Sequence, residues 1–161
     1  GMIDAMITVG TFNDPRCICR PLGKVSVGVF MGKDHPLRRK RLLSFADLEP
    51  YPVLYNRSID EFNDTILVSC RRAGLASPTV EVNTDDGVAD LLEDRNGYVL
   101  GVYLKALDVK PLAIMHRVDP ADAPRIPICA VALKERDNEQ LESFIHFIRN
   151  EFPLVKKMFS S

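Results

Sequence analysis

The feature that most constrains the fold is a repeated order of strand, polar loop and helix in the middle of the chain. Tyr51–Tyr55 is an apolar segment of strand length, and the helix predicted after it, over residues 59–73, has apolar residues at three- and four-residue spacing. Thr79–Val82, another amphipathic segment and the apolar segment Tyr98–Leu104 repeat this order. Strands separated by single helices are typical of parallel sheets with right-handed crossovers. We therefore predict an α/β fold with mostly parallel sheets.

Capping residues indicate where helices begin and end. Ser58 with Glu61 forms a capping box before the first long helix, and Gly74 supplies its C-terminal cap. Ser44, with Asp47 three residues on, predicts a short capped helical turn. These signals make the helix boundaries specific predictions.

Further strands are predicted on both sides of this central repeat. The predicted segments are Ile3–Val9, Val25–Met31, Pro111–Val118 and Ile126–Leu133. A last helix is predicted from Asp137, with Leu141, Phe144, Ile145, Ile148 and Phe152 on one apolar stripe. We expect this helix to pack on a sheet.

Composition and charge exclude several classes of function. The net charge of −1 gives no overall positive charge with which the chain could bind nucleic-acid phosphates. No apolar run approaches the ~20 residues that span a bilayer, so we predict no membrane partner. The four cysteines, Cys17, Cys19, Cys70 and Cys129, contain no Cys-x-x-Cys pair, which favours reduced thiols and a cytoplasmic protein.

The histidines do not form a catalytic or metal-binding pattern. His35 stands between Asp34 and Pro36 without a second imidazole at helical spacing, which favours a turn residue. His116 and His146 have no partner nearby in the sequence that would suit nucleophilic catalysis. We predict no metal site, no cofactor and no enzymatic activity.

Several short motifs occur in an order that resembles the effector-binding domain of LysR-type transcriptional regulators. The motifs are Pro21-Leu22, the valine-rich strand, Lys33-Asp34-His35-Pro36-Leu37, Phe45-Ala46-Asp47-Leu48, Arg72-Ala73-Gly74 and Val80-Glu81-Val82-Asn83. The resemblance extends to the C-terminal amphipathic helix and covers almost the whole chain. One departure lies in Asn96–Tyr103, where the second glycine and the proline of the family's pattern are absent. This departure predicts a reshaped ligand side or a degenerate copy.

The resemblance implies a fold like that of type 2 periplasmic binding proteins, with two α/β lobes and the ligand in the cleft between them. It implies that residues 2–22 form part of an incomplete first lobe and residues 23–105 the second lobe. Residues 106–161 would then cross back and complete the first lobe. The family's helix-turn-helix and linker helix are expected to be absent from this chain. An incomplete lobe leaves an unpaired sheet edge and uncovered apolar surface, so we expect a homo-oligomer.

Ligands of open parallel sheets bind outside the carboxyl ends of the strands, where loops lead into helices. The residues that follow three predicted strand ends are Asn56, Arg57, Ser58, Asn83, Thr84, Tyr103 and Lys105. A helix N-terminus at Ser58 suits a carboxylate, and Arg57 adds a positive charge. Simple capping and a solvated loop arginine are the alternative interpretations.

The resemblance implies an effector-sensing domain of a LysR-type regulator. It would bind a small anionic metabolite between its lobes and thereby modulate DNA binding by the intact protein. DNA would be contacted only through the helix-turn-helix outside this chain. The alternative is a solute-binding-protein-like domain of a transport system, since such domains share the two-lobe architecture.

Overall fold

The computed structural model describes residues 5–55, 61–82, 92, 96–103, 113–136 and 139–151. In chain order the strands are β1 (Met6–Val9), β2 (Cys17–Val25), β3 (Val27–Gly32), β4 (Leu42–Leu43), β5 (Val53–Tyr55), β6 (Thr79–Glu81), β7 (Tyr98–Val102), β8 (Ala113–Val118) and β9 (Ile126–Leu133). The helices are α1 (Phe45–Leu48), α2 (Glu61–Arg72) and α3 (Glu139–Asn150). The predicted α/β class is confirmed, whereas β2 and β4 were not predicted as strands.

The chain divides into two compact units, each with its own sheet. The first unit contains Gly1–Val25 and Ile126–Ser161, and the second contains Ser26–Arg125. We expected the second lobe to end at residue 105, but β8 pairs with β3 and therefore stays in the second unit. An apolar strand pattern shows that a segment is a strand, but it does not identify the neighbour with which the strand pairs.

The first unit is built on a three-stranded antiparallel sheet in the order β1-β9-β2. Helix α3 packs on β2 and buries Leu141, Ile145 and Ile148. The predicted stripe is wrong at Phe144, whose side chain is 42% exposed. Successive helical residues are 100° apart, so Phe144 falls at the border of the narrow face that the three buried residues share. Phe152, the other predicted stripe residue, lies outside the described residues.

The second unit contains a mixed six-stranded sheet in the order β4-β8-β3-β7-β5-β6. Strand β5 is parallel to β6 and β7, and β4 is parallel to β8. Strand β3 is antiparallel to both β7 and β8. Parallel pairing was expected for strands joined by a single helix, and β3 is not joined in that way to β7 or to β8. The prediction of mostly parallel sheets is therefore corrected to mixed sheets.

The capped turn and the helix end that the sequence predicts are confirmed. The Ser44 hydroxyl accepts a hydrogen bond from the Asp47 backbone N–H at 3.2 Å, and the Asp47 carboxylate accepts from the Ser44 backbone N–H at 2.8 Å. Hydrogen bonds from Lys40 and Ser44 lower the pKa of Asp47 to about 2. Gly74 ends α2 with a φ of 109°, a conformation that glycine adopts without steric cost.

His35 lies in a turn, as predicted, and it also joins two distant parts of the second unit. Its side chain is 1% exposed, and its Nε2 lies 2.8 Å from the backbone oxygen of Asn96. Its Nδ1 accepts a hydrogen bond from the backbone N–H of Leu37, and its ring lies 4.6 Å from that of Tyr51. Nε2 is therefore the protonated nitrogen of a neutral imidazole. The Lys33–Leu37 motif thus has a structural role.

Buried neutral histidines predict that stability decreases in acid. Burial lowers the pKa of both His35 and His116, although hydrogen bonds to the Asn96 and Lys40 backbones oppose this effect. The unfolded chain then binds more protons than the folded chain just below pH ~6.5, so the free energy of unfolding falls as pH drops through that range. Urea unfolding at pH 7.5 and pH 5.0 measures this loss.

Substitution separates the histidine contribution from that of other groups. We expect His116→Gln to reduce the loss of stability between pH 7.5 and pH 5.0. The exposed residue His146 provides the control variant His146→Gln, which should leave that loss unchanged. Equal pH dependence in wild type and His116→Gln would contradict the assignment.

Candidate functional site

The strands of the second unit define one edge at which several chain segments meet. Because β7 and β8 are both antiparallel to β3, they end where β3 begins. Strands β5 and β6 run in the direction of β7 and end on the same side. We call this the carboxyl edge, meaning the side of the sheet at which β5, β6, β7 and β8 end and β3 begins. Ligand sites of open α/β sheets lie at such edges.

Tyr103 is the predicted site residue that the structure places at the carboxyl edge. It directly follows β7, its side chain is half-buried, and its backbone N–H donates to the Ser26 carbonyl at 2.9 Å. The other predicted site residues, Asn56, Arg57, Ser58, Asn83, Thr84 and Lys105, lie outside the described residues. Strands β5 and β6 end at Tyr55 and Glu81. The roles of the residues beyond them stay predictions.

Gly28 allows the chain after β7 to pass directly over the sheet. A Cβ atom at Gly28 would lie 2.9 Å from the Tyr103 Cα and 3.1 Å from its backbone nitrogen. Real Cβ atoms essentially never approach other heavy atoms to less than 3.0 Å, so a larger residue would displace the Tyr103 backbone. Gly28 pairs with Gly101 of β7, where a Cβ would meet the Phe30 ring at 2.8 Å. Gly28 thus faces the backbone of Tyr103, whereas Gly101 faces only a side chain.

Arg117 places a positive charge on the same face of the carboxyl edge. Arg117 pairs with Gly28, so the two residues lie on the same face of the sheet. Ser26 is two residues before Gly28 and therefore lies on that face as well. The Arg117 Nη2 donates to the Ser26 hydroxyl oxygen at 3.1 Å. The Nε atom is buried, and within the described part of the chain no acceptor lies in reach of it.

Sequence reasoning did not identify Ser26, Gly28 or Arg117 as site residues. Arg117 is the fifth residue of a strand whose pattern indicates only a structural role. Ser26 lies at the start of a strand, whereas the strand-end rule, by which ligand-binding residues follow the carboxyl ends of strands, considers only the other end. The signal for Arg117 was its place one residue before the end of β8. The rule selects residues that follow a strand, so it passes over Arg117, which lies within β8.

Other reactive groups of the described residues do not form a second site. Burial raises the pKa of Cys70 and of Cys129 to about 12, so both thiols stay protonated at neutral pH and are poor nucleophiles. In the described ranges, histidines, cysteines and carboxylates do not form a group of three or more that could hold a metal ion. No helix among these residues is long and apolar enough to cross a membrane.

Comparison with solved structures shows that the fold is that of LysR-family regulatory domains. The regulatory domain of MetR from N. meningitidis matches with a TM-score of 0.61 and 17% identity, covering 91% of this chain and 68% of that domain. A full-length variant of OxyR from Pseudomonas aeruginosa matches with a TM-score of 0.68 and 16% identity, covering 99% of this chain and 52% of that chain. Full-length CbnR, solved in a complex with its target DNA, matches with a TM-score of 0.69 and 15% identity, covering 89% of this chain and 51% of CbnR.

Sequence comparison assigns the family. Among curated proteins, none matches the chain significantly. The chain spans about half the length of the full-length regulators that it resembles in structure. The sequence profile of the LysR substrate binding domain, however, matches residues 1–153 of the 161 residues. The chain therefore belongs to the LysR substrate-binding domain family, the effector-binding regulatory domains of LysR-type transcriptional regulators.

Proposed function

We propose that this domain binds a small anionic metabolite at the carboxyl edge of its second unit and that binding modulates DNA recognition by the intact regulator. The observation that supports this site most strongly is the close passage of Tyr103 over Gly28. A glycine within a strand often marks a place where a ligand or another backbone segment approaches closely. The predicted helix N-terminus near Ser58, which would follow β5 at the same edge, favours a negatively charged ligand.

The partners that we propose for the intact protein are inferred from its family. We propose that DNA is contacted through a helix-turn-helix outside this chain, and that the protein acts in the cytoplasm.

We also propose self-association. Large apolar side chains of the first unit are exposed, and these are Met6, Ile7, Phe12, Leu133, Phe144 and Phe147. Strand β1 pairs with β9 on one side and has no partner strand among the described residues on its other side, and such an edge favours pairing with another chain. The transport-domain alternative is not favoured, because the family match is to a regulator domain.

Thermal unfolding with a metabolite panel tests the proposed function. We expect at least one small anion to raise the melting temperature, because a ligand at 100 times its Kd stabilises the folded state by about 2.7 kcal/mol. For a domain of this size that corresponds to a shift of roughly 5–10 °C. Sodium chloride at equal ionic strength is the control. If none of a broad panel of anions and neutral metabolites shifts the transition, effector binding by this chain is contradicted.

A further inference from the structure

The guanidinium of Arg117 has a donor that the described residues leave unsatisfied. Its Nε is buried without an acceptor among them, while its Nη2 donates to the Ser26 hydroxyl at 3.1 Å. A buried donor without a partner is costly, and native structures rarely retain one without a function. The unused donor lies at the carboxyl edge, beside the crossing of Tyr103 over Gly28.

The geometry of this donor suits a planar, singly charged acceptor. The Nε and Nη2 hydrogens lie on one side of the guanidinium, the side that matches the two oxygens of a carboxylate. Because Nη2 already donates to Ser26, a carboxylate would replace or share that weaker, neutral acceptor and would also satisfy Nε. Charge-assisted hydrogen bonds are about twice as strong as neutral ones, so the exchange is favourable.

The charge and the position of Arg117 suit a carboxylate. One guanidinium balances the single negative charge of a carboxylate, and its Nη2 is already directed at the Ser26 hydroxyl. The Arg117 side chain is half-buried, so a bound anion would be partly shielded from salt.

We propose that Arg117 selects effectors that carry a carboxylate, which binds the Nε and Nη2 edge of its guanidinium in place of the Ser26 hydroxyl. This assignment rests on the proposed function, because it names the chemical class of the ligand at the same site. It predicts that the negative charge and the planar shape of the ligand group both contribute to affinity.

Paired acids and amides test the assignment by isothermal titration calorimetry. The acid probes are acetate, succinate, benzoate and any other acid that stabilises the protein in the panel. Each acid is compared with its primary amide. Wild type is expected to bind the best acid about tenfold or more tightly than its amide, because the amide lacks the charge. Arg117→Gln should weaken acid binding about ten- to hundredfold and bind acid and amide alike.

Two further variants separate charge, shape and misfolding. Arg117→Lys keeps the charge but lacks the planar fork, so it should retain part of the preference for acids. Arg41→Gln removes the same charge from an exposed residue of the same unit and should bind as wild type does. Circular dichroism checks that each variant is folded. If Arg117→Gln does not fold, weaker acid binding by Arg117→Lys than by wild type still supports the proposal, and equal binding overturns it.

The possible results distinguish this proposal from the proposed function. If only neutral compounds bind, or if amides bind wild type as tightly as acids, Arg117 does not select carboxylates, although the domain still binds an effector. A folded Arg117→Gln that keeps the acid preference overturns the proposal in the same way. If neither acids, amides nor other panel members bind wild type, the proposed function itself fails.

Discussion

Replacing Tyr98 by alanine is expected to lower the free energy of unfolding by about 3–5 kcal/mol, the range found for removing a large buried aromatic side chain. Tyr98 is 0% exposed and begins β7, in the middle of the sheet of the second unit. Domains of this kind have a total stability of about 5–15 kcal/mol, so this loss is at least about a fifth of the total. Urea unfolding followed by circular dichroism measures it.

The hydroxyl of Tyr98 accounts for a smaller part of the effect. It donates to the Ser77 hydroxyl at 2.7 Å, and Ser77 in turn donates to the Leu48 carbonyl at 2.9 Å. Burial raises the pKa of Tyr98, so its hydroxyl remains protonated and can donate at neutral pH. Tyr98→Phe should therefore cost about 1–2 kcal/mol, because it removes one buried hydrogen bond and leaves the packing intact. Equal losses in the two variants would show that the ring does not pack as described.

Gly28→Ala is expected to weaken effector binding about tenfold or more and to destabilise the domain by about 1–3 kcal/mol, as overpacking does. The new Cβ would lie 2.9 Å from the Tyr103 Cα, and backbone cannot rotate away as a side chain does. Tyr103 would therefore shift from the Ser26 carbonyl to which its N–H donates at 2.9 Å. Calorimetric titration with the best-binding panel compound measures the change in affinity.

Gly101→Ala is the matched control for this prediction. Gly101 pairs with Gly28 across β7 and β3, and its new Cβ would meet the ring of Phe30 at 2.8 Å. The Phe30 side chain is half-buried and can turn aside, so this variant should cost about 1 kcal/mol or less and bind the effector normally. If Gly101→Ala impairs binding as strongly as Gly28→Ala, the position of Tyr103 is not what determines affinity.

Local signals in the sequence predicted the elements whose causes are local. The capping box at Ser44, the end of α2 at Gly74 and the strand β9 were correct because hydrogen bonds and apolar periodicity within a few residues determine them. Strand β2 was missed because Pro21 and Gly23 interrupt its apolar pattern. The structure accommodates both residues through a shift of register against β9.

Contacts between distant residues were beyond sequence reasoning. Nothing near His35 indicates that its ring meets the Asn96 carbonyl, 61 residues away. In the same way, the sequence near Arg117 indicates an ordinary strand residue, and only the pairing of β8 with β3 shows that Arg117 lies opposite Gly28. Tyr103 was predicted because the strand-end rule needs only the end of one strand. The rest of the candidate site depends on which strands are neighbours, and the sequence pattern does not specify that.

The most direct test of the account is to map the bound effector by amide chemical shifts. A ¹H–¹⁵N titration of the isotopically labelled chain with the best-binding panel compound reports every backbone N–H that the ligand affects. We predict that the largest changes occur at Ser26, Tyr103 and Arg117, which meet at the carboxyl edge. Changes confined to the Lys33–Leu37 turn, which follows the opposite end of β3, would contradict the assignment of the effector site to this edge.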